Sequence, residues 1–192
     1  MSLESKYPTS TPREFTLSVL TEDKSGLLNQ LTIIFTKRKI NINSLNVSVT
    51  EVKGVSRFTI VTETSKDMID NIVKQIRKLI DVLGAFVYEE HQIFYQEIAL
   101  YKVPKYAIME GNSIEELVSK SGARILVVET DYMIIEKTGN SRETHDLYQK
   151  LEPFGLLEFI RSGRVAISKS TRKTEAYIKE LEASNSNKLS IK

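Results

Sequence analysis

The stretch FTLSVLTEDKSGLLNQLTIIF, residues 15–35, carries two apolar periods one after the other. Phe15, Leu17 and Val19 alternate with Thr16 and Ser18, the period of two that marks a half-buried strand. Asp23, Ser25 and Gly26 break the alternation. Leu27, Leu28, Leu31, Ile34 and Phe35 then recur at helical spacing, which predicts a helix to about Lys39. A strand that turns into a helix through a glycine-bearing loop is the unit from which the rest of the chain can be read.

Downstream, Asn41 and Asn43 flank a turn, and an asparagine after a helix is expected to take the left-handed conformation as a C-cap. Leu45, Val47 and Val49 form a second alternating run, and Lys53-Gly54 signals a hairpin into a third strand around Phe58 and Ile60. Asp67 is the expected cap of a second helix with the stripe Met68, Ile69, Ile72, Val73, Ile76, Leu79 and Ile80. A fourth strand is expected from Val82 to Tyr88. The order βαββαβ predicts two helices on one face of a four-stranded antiparallel sheet.

The second half repeats that order. Strands are expected at Tyr95–Val103, Ala123–Val128, Tyr132–Lys137 and Leu156–Ile160, with Thr130-Asp131 joining the middle two. Helices are expected from Ser113, where Ser113 and Glu116 have capping-box spacing, and from Arg142 to Leu151 before Pro153. The predicted class is α+β, with two ferredoxin-like βαββαβ domains. The expected division is a loose leader at 1–13, a first domain at 14–90, a second at 91–168 and a polar tail at 169–192. In that tail Tyr177, Ile178 and Leu181 would share one side of a short helix.

Composition narrows the function. Hydrophobic residues make up 41% of the 192 and charged residues 27%, enough for two modest cores. Basic and acidic residues number 27 and 25, a balance that does not point to nucleic acid or a membrane surface. The absence of cysteine removes disulfides, thiolate nucleophiles and cysteine metal sites. His91 and His145 are far apart in sequence, so neither a histidine metal site nor a catalytic constellation is expected. No apolar run approaches the roughly 20 residues of a membrane span, and a cytoplasmic protein is expected.

The loop Glu22-Asp23-Lys24-Ser25-Gly26 is the candidate site. A helix N-terminus offers unpaired amides and partial positive charge, which suit a carboxylate. Gly26, without a Cβ, allows close approach, and Asp23 and Ser25 offer oxygens to an ammonium group. The same residues also fit a plain N-cap and a tight turn, and both readings are open to them.

Beyond these patterns, residues 19–52, VLTEDKSGLLNQLTIIFTKRKININSLNVSVTEV, resemble the small subunit of acetolactate synthase, also called acetohydroxyacid synthase. That family opens with an ACT domain whose first loop reads E-N-x-x-G-x-L, followed by F-x-x-R-x-x-N-I-x-S-L. Phe35, Arg38, Asn41, Ile42, Ser44 and Leu45 match the second run. Further matches are Ser56–Ile60, Gln75, Lys78–Val82, Gln96–Val103 and Arg161-Ser162-Gly163 followed by Val165–Ser168. The resemblance runs over residues 14–170.

The resemblance implies a non-catalytic subunit that forms a homodimer through side-by-side ACT domains. It would bind a catalytic subunit holding thiamine diphosphate, Mg²⁺ and FAD, and needs no cofactor of its own. Valine or a related branched-chain amino acid would bind at the pairing surface and mediate feedback inhibition. The carried-over site is Asp23, Ser25, Gly26, Leu27 and Leu28 of one chain, with Asn41 and Ile42 of its partner. Asp23 stands where the family pattern has Asn, and a carboxylate there can accept from an ammonium but cannot donate to a carboxylate. Two other classes compete: an ACT-type amino-acid sensor for a different enzyme, and a small ferredoxin-like hydrolase.

Overall fold

The computed structural model describes residues 11–105 and 113–171, together with Ala176 and Lys179. The chain divides into two compact units, Met1–Phe94 with Ile167–Lys192, and Tyr95–Ala166.

The first unit contains β1 (Arg13–Glu22), α1 (Leu27–Thr36), β2 (Ser44–Val49), β3 (Val55–Thr64), α2 (Lys66–Ile76) and β4 (Val82–Tyr88). Its sheet has the order β2-β3-β1-β4 and is antiparallel throughout. β1 pairs with β3 from Arg13 opposite Thr64 to Glu22 opposite Val55. The alternating Phe15, Leu17 and Val19 are fully buried beneath Leu27, Leu31 and Phe35 of α1 and Ile69, Ile72 and Ile76 of α2. Each such side chain contributes about 1.5–3 kcal/mol through burial, so the two periods of the opening stretch define one core.

Local chemistry refines the expected element ends. Lys39, not Asn41, takes the left-handed conformation, at φ 55°. Its N–H donates to the Thr36 carbonyl (3.0 Å) and that of Ile40 to the Phe35 carbonyl (3.2 Å), the paired bonds of a Schellman closure. The cap of α2 is Ser65, whose hydroxyl accepts from the Met68 N–H (3.4 Å). Asp67 lies in the first turn instead, where its charge still complements the helix dipole. Ile80, expected in the apolar stripe, is 97% exposed. The helix ends at Ile76, so the 3.6-residue period stops before it reaches Ile80.

The second unit is built from β5 (Ile93–Pro104), α3 (Ser113–Lys120), β6 (Arg124–Val128), β7 (Tyr132–Gly139), α4 (Ser141–Leu151) and β8 (Glu158–Arg161). Its strands run β6-β7-β5-β8, and a further strand β9 (Val165–Ser168), which the periodicity did not predict, also pairs with β5. The side chain of Ser113, the expected cap, lies outside the described residues. A capping box missed in the sequence opens α4: Asn140 Oδ1 accepts from the Glu143 N–H (2.9 Å), and Glu143 Oε2 accepts from the Asn140 N–H (2.8 Å). Ala99, Tyr101, Val103, Ile114, Met133, Ile135 and Leu147 form the core. The Tyr101 hydroxyl donates to the Thr144 carbonyl (2.6 Å), and burial pushes its pKa up to about 12.

Glu136 on β7 accepts from the Thr138 hydroxyl (2.7 Å) and pairs with Arg124 of β6. Both contacts, the Thr138 hydrogen bond foremost, hold its carboxyl below the usual range. A depressed folded-state pKa contributes stability that is present above the unfolded-state pKa and lost as pH falls through the folded-state value. Urea midpoints measured from roughly pH 6 down to pH 2 are therefore expected to fall less steeply for Glu136→Gln than for the native chain. Superimposable profiles would show that this carboxyl adds nothing to acid stability.

Candidate functional site

The β1–α1 loop is shaped by a backbone conformation that only glycine adopts cheaply. Gly26 is the N-cap residue of α1, at φ 86° and ψ −11°, and the helix has no side-chain cap. Neither Asp23 nor Ser25 caps it, which corrects the plain-cap reading of the sequence. The first-turn amides of α1 therefore lack the acceptor that a capping side chain supplies.

Asp23 is held elsewhere. Its N–H donates to the Gly54 carbonyl (2.8 Å), and its Oδ1 accepts from the Ser56 hydroxyl (3.0 Å). Lys24 is bound by Asp81 (2.8 Å) and Glu22 (2.5 Å), and these carboxylates, Asp81 first, raise its pKa well above the ordinary lysine value. The loop is thus pinned to the β2–β3 hairpin on one side and to the start of β4 on the other.

Beside it lies a surface hollow of about 250 Å³, lined by Thr21, Glu22, Asp23, Lys24, Gly26, Leu28, Val47, Ser56 and Phe58. Of the sequence-predicted residues, Asp23, Gly26 and Leu28 meet there. Leu28 is 45% exposed and Val47, on the edge strand β2, 46% exposed. Leu27 is buried in the core and can offer the hollow only its backbone. Ser25 is exposed and does not line it.

Asn41 and Ile42 are not part of this hollow. The Asn41 amide donates to Asn43 Oδ1 (3.2 Å), its carbonyl accepts from the Thr62 hydroxyl (2.6 Å), and Ile42 packs on the core. Sequence reasoning missed Ser56, Val47 and Phe58 as lining residues. They reach the loop through strand register, Thr21 opposite Ser56, Val19 opposite Phe58 and Val47 opposite Phe58, which no local pattern prints.

A second hollow, about 530 Å³, is lined by Arg13, Glu14, Glu89, Glu90 and His91. Arg13, Glu14, Glu89 and Glu90 bring charged groups to it, and Arg13 and His91 both lie near Glu89 (3.8 and 3.9 Å). Among the described residues no group of three or more metal-ligating side chains occurs, and no helix is long and apolar enough to cross a membrane.

Two ferredoxin-like units, the first opening with this glycine-cornered loop, define an ACT-domain regulatory subunit. Residues 17–84 match a family model described as an AHAS small subunit-like ACT domain, and residues 96–170 match one described as the small subunit of acetolactate synthase. The acetolactate synthase small subunit of Mycolicibacterium smegmatis is 40% identical over 157 residues, covering 82% of this chain and 92% of that protein. Its counterpart from Bacillus subtilis is 34% identical over 161 residues, covering 83% and 92%. The crystal structure of the small subunit from Thermotoga maritima superposes with a TM-score of 0.75 at 28% identity, covering 83% of this chain and 99% of that one. The chain belongs to the acetolactate synthase small-subunit family.

Proposed function

We propose that this chain regulates acetolactate synthase. It binds the catalytic subunit, which carries thiamine diphosphate, Mg²⁺ and FAD, and raises its activity in the cytoplasm. A branched-chain amino acid, valine foremost, binds at the β1–α1 loop and lowers that activity. The observation that carries this reading is the chemistry of the hollow. The uncapped start of α1 faces an amino-acid carboxylate, Glu22 and Asp23 face its ammonium, and Leu28, Val47 and Phe58 form an apolar wall for a branched side chain. Asp23 suits the ammonium side of that arrangement, because its carboxylate accepts and does not donate.

The hollow is half a site. Its open flank is the edge strand β2, where Val47 and Val49 remain exposed. In the homodimer we propose, a second copy pairs along this edge and brings Asn41 and Ile42 to the ligand. Valine then favours one arrangement of the assembly, and by linkage the catalytic subunit alters valine affinity by the same factor.

The test is to mix the purified chain with a catalytic acetolactate synthase subunit and assay acetolactate formation with and without valine. The expected result is a higher rate on mixing that valine reverses. An unchanged rate together with no copurification would sink the reading. Stimulation without any valine effect would retain the partner and reject the effector.

A further inference from the structure

The floor of the hollow beside the β1–α1 loop is one face of three neighbouring strands. Thr21 pairs with Ser56, and Val19 and Val47 both pair with Phe58, so Thr21, Ser56, Phe58 and Val47 share that face. Phe58 and Val47 give it an apolar half. Its polar half holds two hydroxyls. That of Thr21 donates to the Glu22 carbonyl (2.9 Å), whereas that of Ser56, a residue only 6% exposed, donates to Asp23 Oδ1 (3.0 Å). Charge is divided unequally around the loop. Lys24 serves two carboxylates, Asp81 (2.8 Å) and Glu22 (2.5 Å). Asp23 has no cationic partner among the described residues, and Ser56 is the side chain that holds it.

We propose that Ser56 is a positioning residue for the effector, fixing the Asp23 carboxylate as the receptor of the ligand's ammonium group. The hollow thereby selects an amino acid over the α-keto acid of the same carbon skeleton. This inference rests on the effector reading and narrows it, because Glu22 is spent on Lys24 and Asp23 is not. Asp23 lies one residue beyond the end of β1, on an exposed loop where a carboxylate side chain has several rotamers open to it. Ser56 sits on β3, laddered to β1 on one side and to β2 on the other. The Asp23 N–H also donates to the Gly54 carbonyl (2.8 Å), so the β2–β3 hairpin and β3 hold this residue by backbone and side chain together. A carboxylate fixed in advance loses less freedom when a ligand arrives, and the single Ser56 bond leaves lone pairs for further donors. An ammonium group supplies those donors and the positive charge that Asp23 lacks. An α-keto acid supplies neither, and its own carboxylate meets Glu22 and Asp23 without compensation.

The test is calorimetric titration of the full chain with two probes, valine and α-ketoisovalerate. The native chain is expected to bind valine at least about 30-fold more tightly than the keto acid, the scale of a charged hydrogen bond. Ser56→Ala is expected to weaken valine about tenfold and the keto acid by less than about twofold. Ser56→Thr keeps the hydroxyl and should hold valine within about threefold of native. Asp23→Ala removes the receptor, so adding Ser56→Ala to it should cost nothing further. Thermal melts check the fold of each variant. If Ser56→Ala does not fold, Ser56→Cys decides, since its weaker donor should cost valine several-fold and leave the keto acid unchanged. Equal losses for both probes, or the same loss with Asp23 already removed, would make Ser56 merely structural and overturn the inference. So would a native chain that binds the two probes alike. Valine bound by the native chain and unaffected by Ser56→Ala rejects this inference and leaves the effector reading in place; no valine binding at all rejects both.

Discussion

Gly26→Asp is expected to weaken valine binding by at least about 100-fold, close to 2.8 kcal/mol. Two effects combine. An L-residue at φ 86° costs roughly 1–2 kcal/mol of backbone strain, so the loop shifts from the conformation that presents the α1 amides. The introduced carboxylate then occupies those amides as a cap and repels the ligand carboxylate from beside Glu22 and Asp23. Sterics do not contribute, because a Cβ built at Gly26 meets nothing within 4 Å. The fold should therefore survive, as a thermal melt will show. Gly26→Ala carries the strain without the charge and is expected to lose only about tenfold. Calorimetry with valine, leucine and isoleucine on both variants reads the difference. Wild-type affinity in the aspartate variant would show that the ligand binds elsewhere.

The second large effect is expected in the other unit. Glu97 on β5 is buried between Arg161 (3.2 Å) and Arg164 (3.6 Å), and Arg164 is itself buried with its guanidinium 3.7 Å from the Tyr95 ring centroid. Ser162 fastens the same run, accepting from the Ile98 N–H (2.9 Å) while its own N–H donates to the Ile98 carbonyl (2.8 Å). Glu97→Gln keeps the shape and removes the carboxylate charge that pairs with both arginines. Breaking such a cluster costs about 3–5 kcal/mol. In a unit of this size that is a fall in melting temperature of roughly 12 °C or more. Arg161 reaches solvent, whereas Arg164 is buried. A calorimetric melt shifted by less than about 4 °C in the single variant would show that the cluster is not essential to stability.

How far the sequence reaches is visible in particular residues. Phe15, Leu17 and Val19 announce a strand because one face is covered, and Leu31, Ile34 and Phe35 announce a helix for the same reason. Both are local periods, so both were legible, and the two βαββαβ units follow from their order. Element ends were less so. Ser65 rather than Asp67 caps α2, and Lys39 rather than Asn41 closes α1, because each choice depends on where the helix starts or stops by one turn. β9 was missed because a four-residue strand carries too little pattern to stand out.

The β1–α1 loop shows the same division. From sequence alone came a strand, a glycine corner and a helix start, because Gly26 and the change of period from two to 3.6 are local signals. Tertiary structure alone decided that α1 is uncapped, that Asp23 is turned to Ser56, and that Val47 and Phe58 wall the hollow. It also decided that Asn41 and Ile42 lie apart from that hollow within one chain. The reason is physical. Periodicity reports which face of an element is apolar, whereas a site is set by register between elements distant in the chain, and register is chosen by the packing of the whole core.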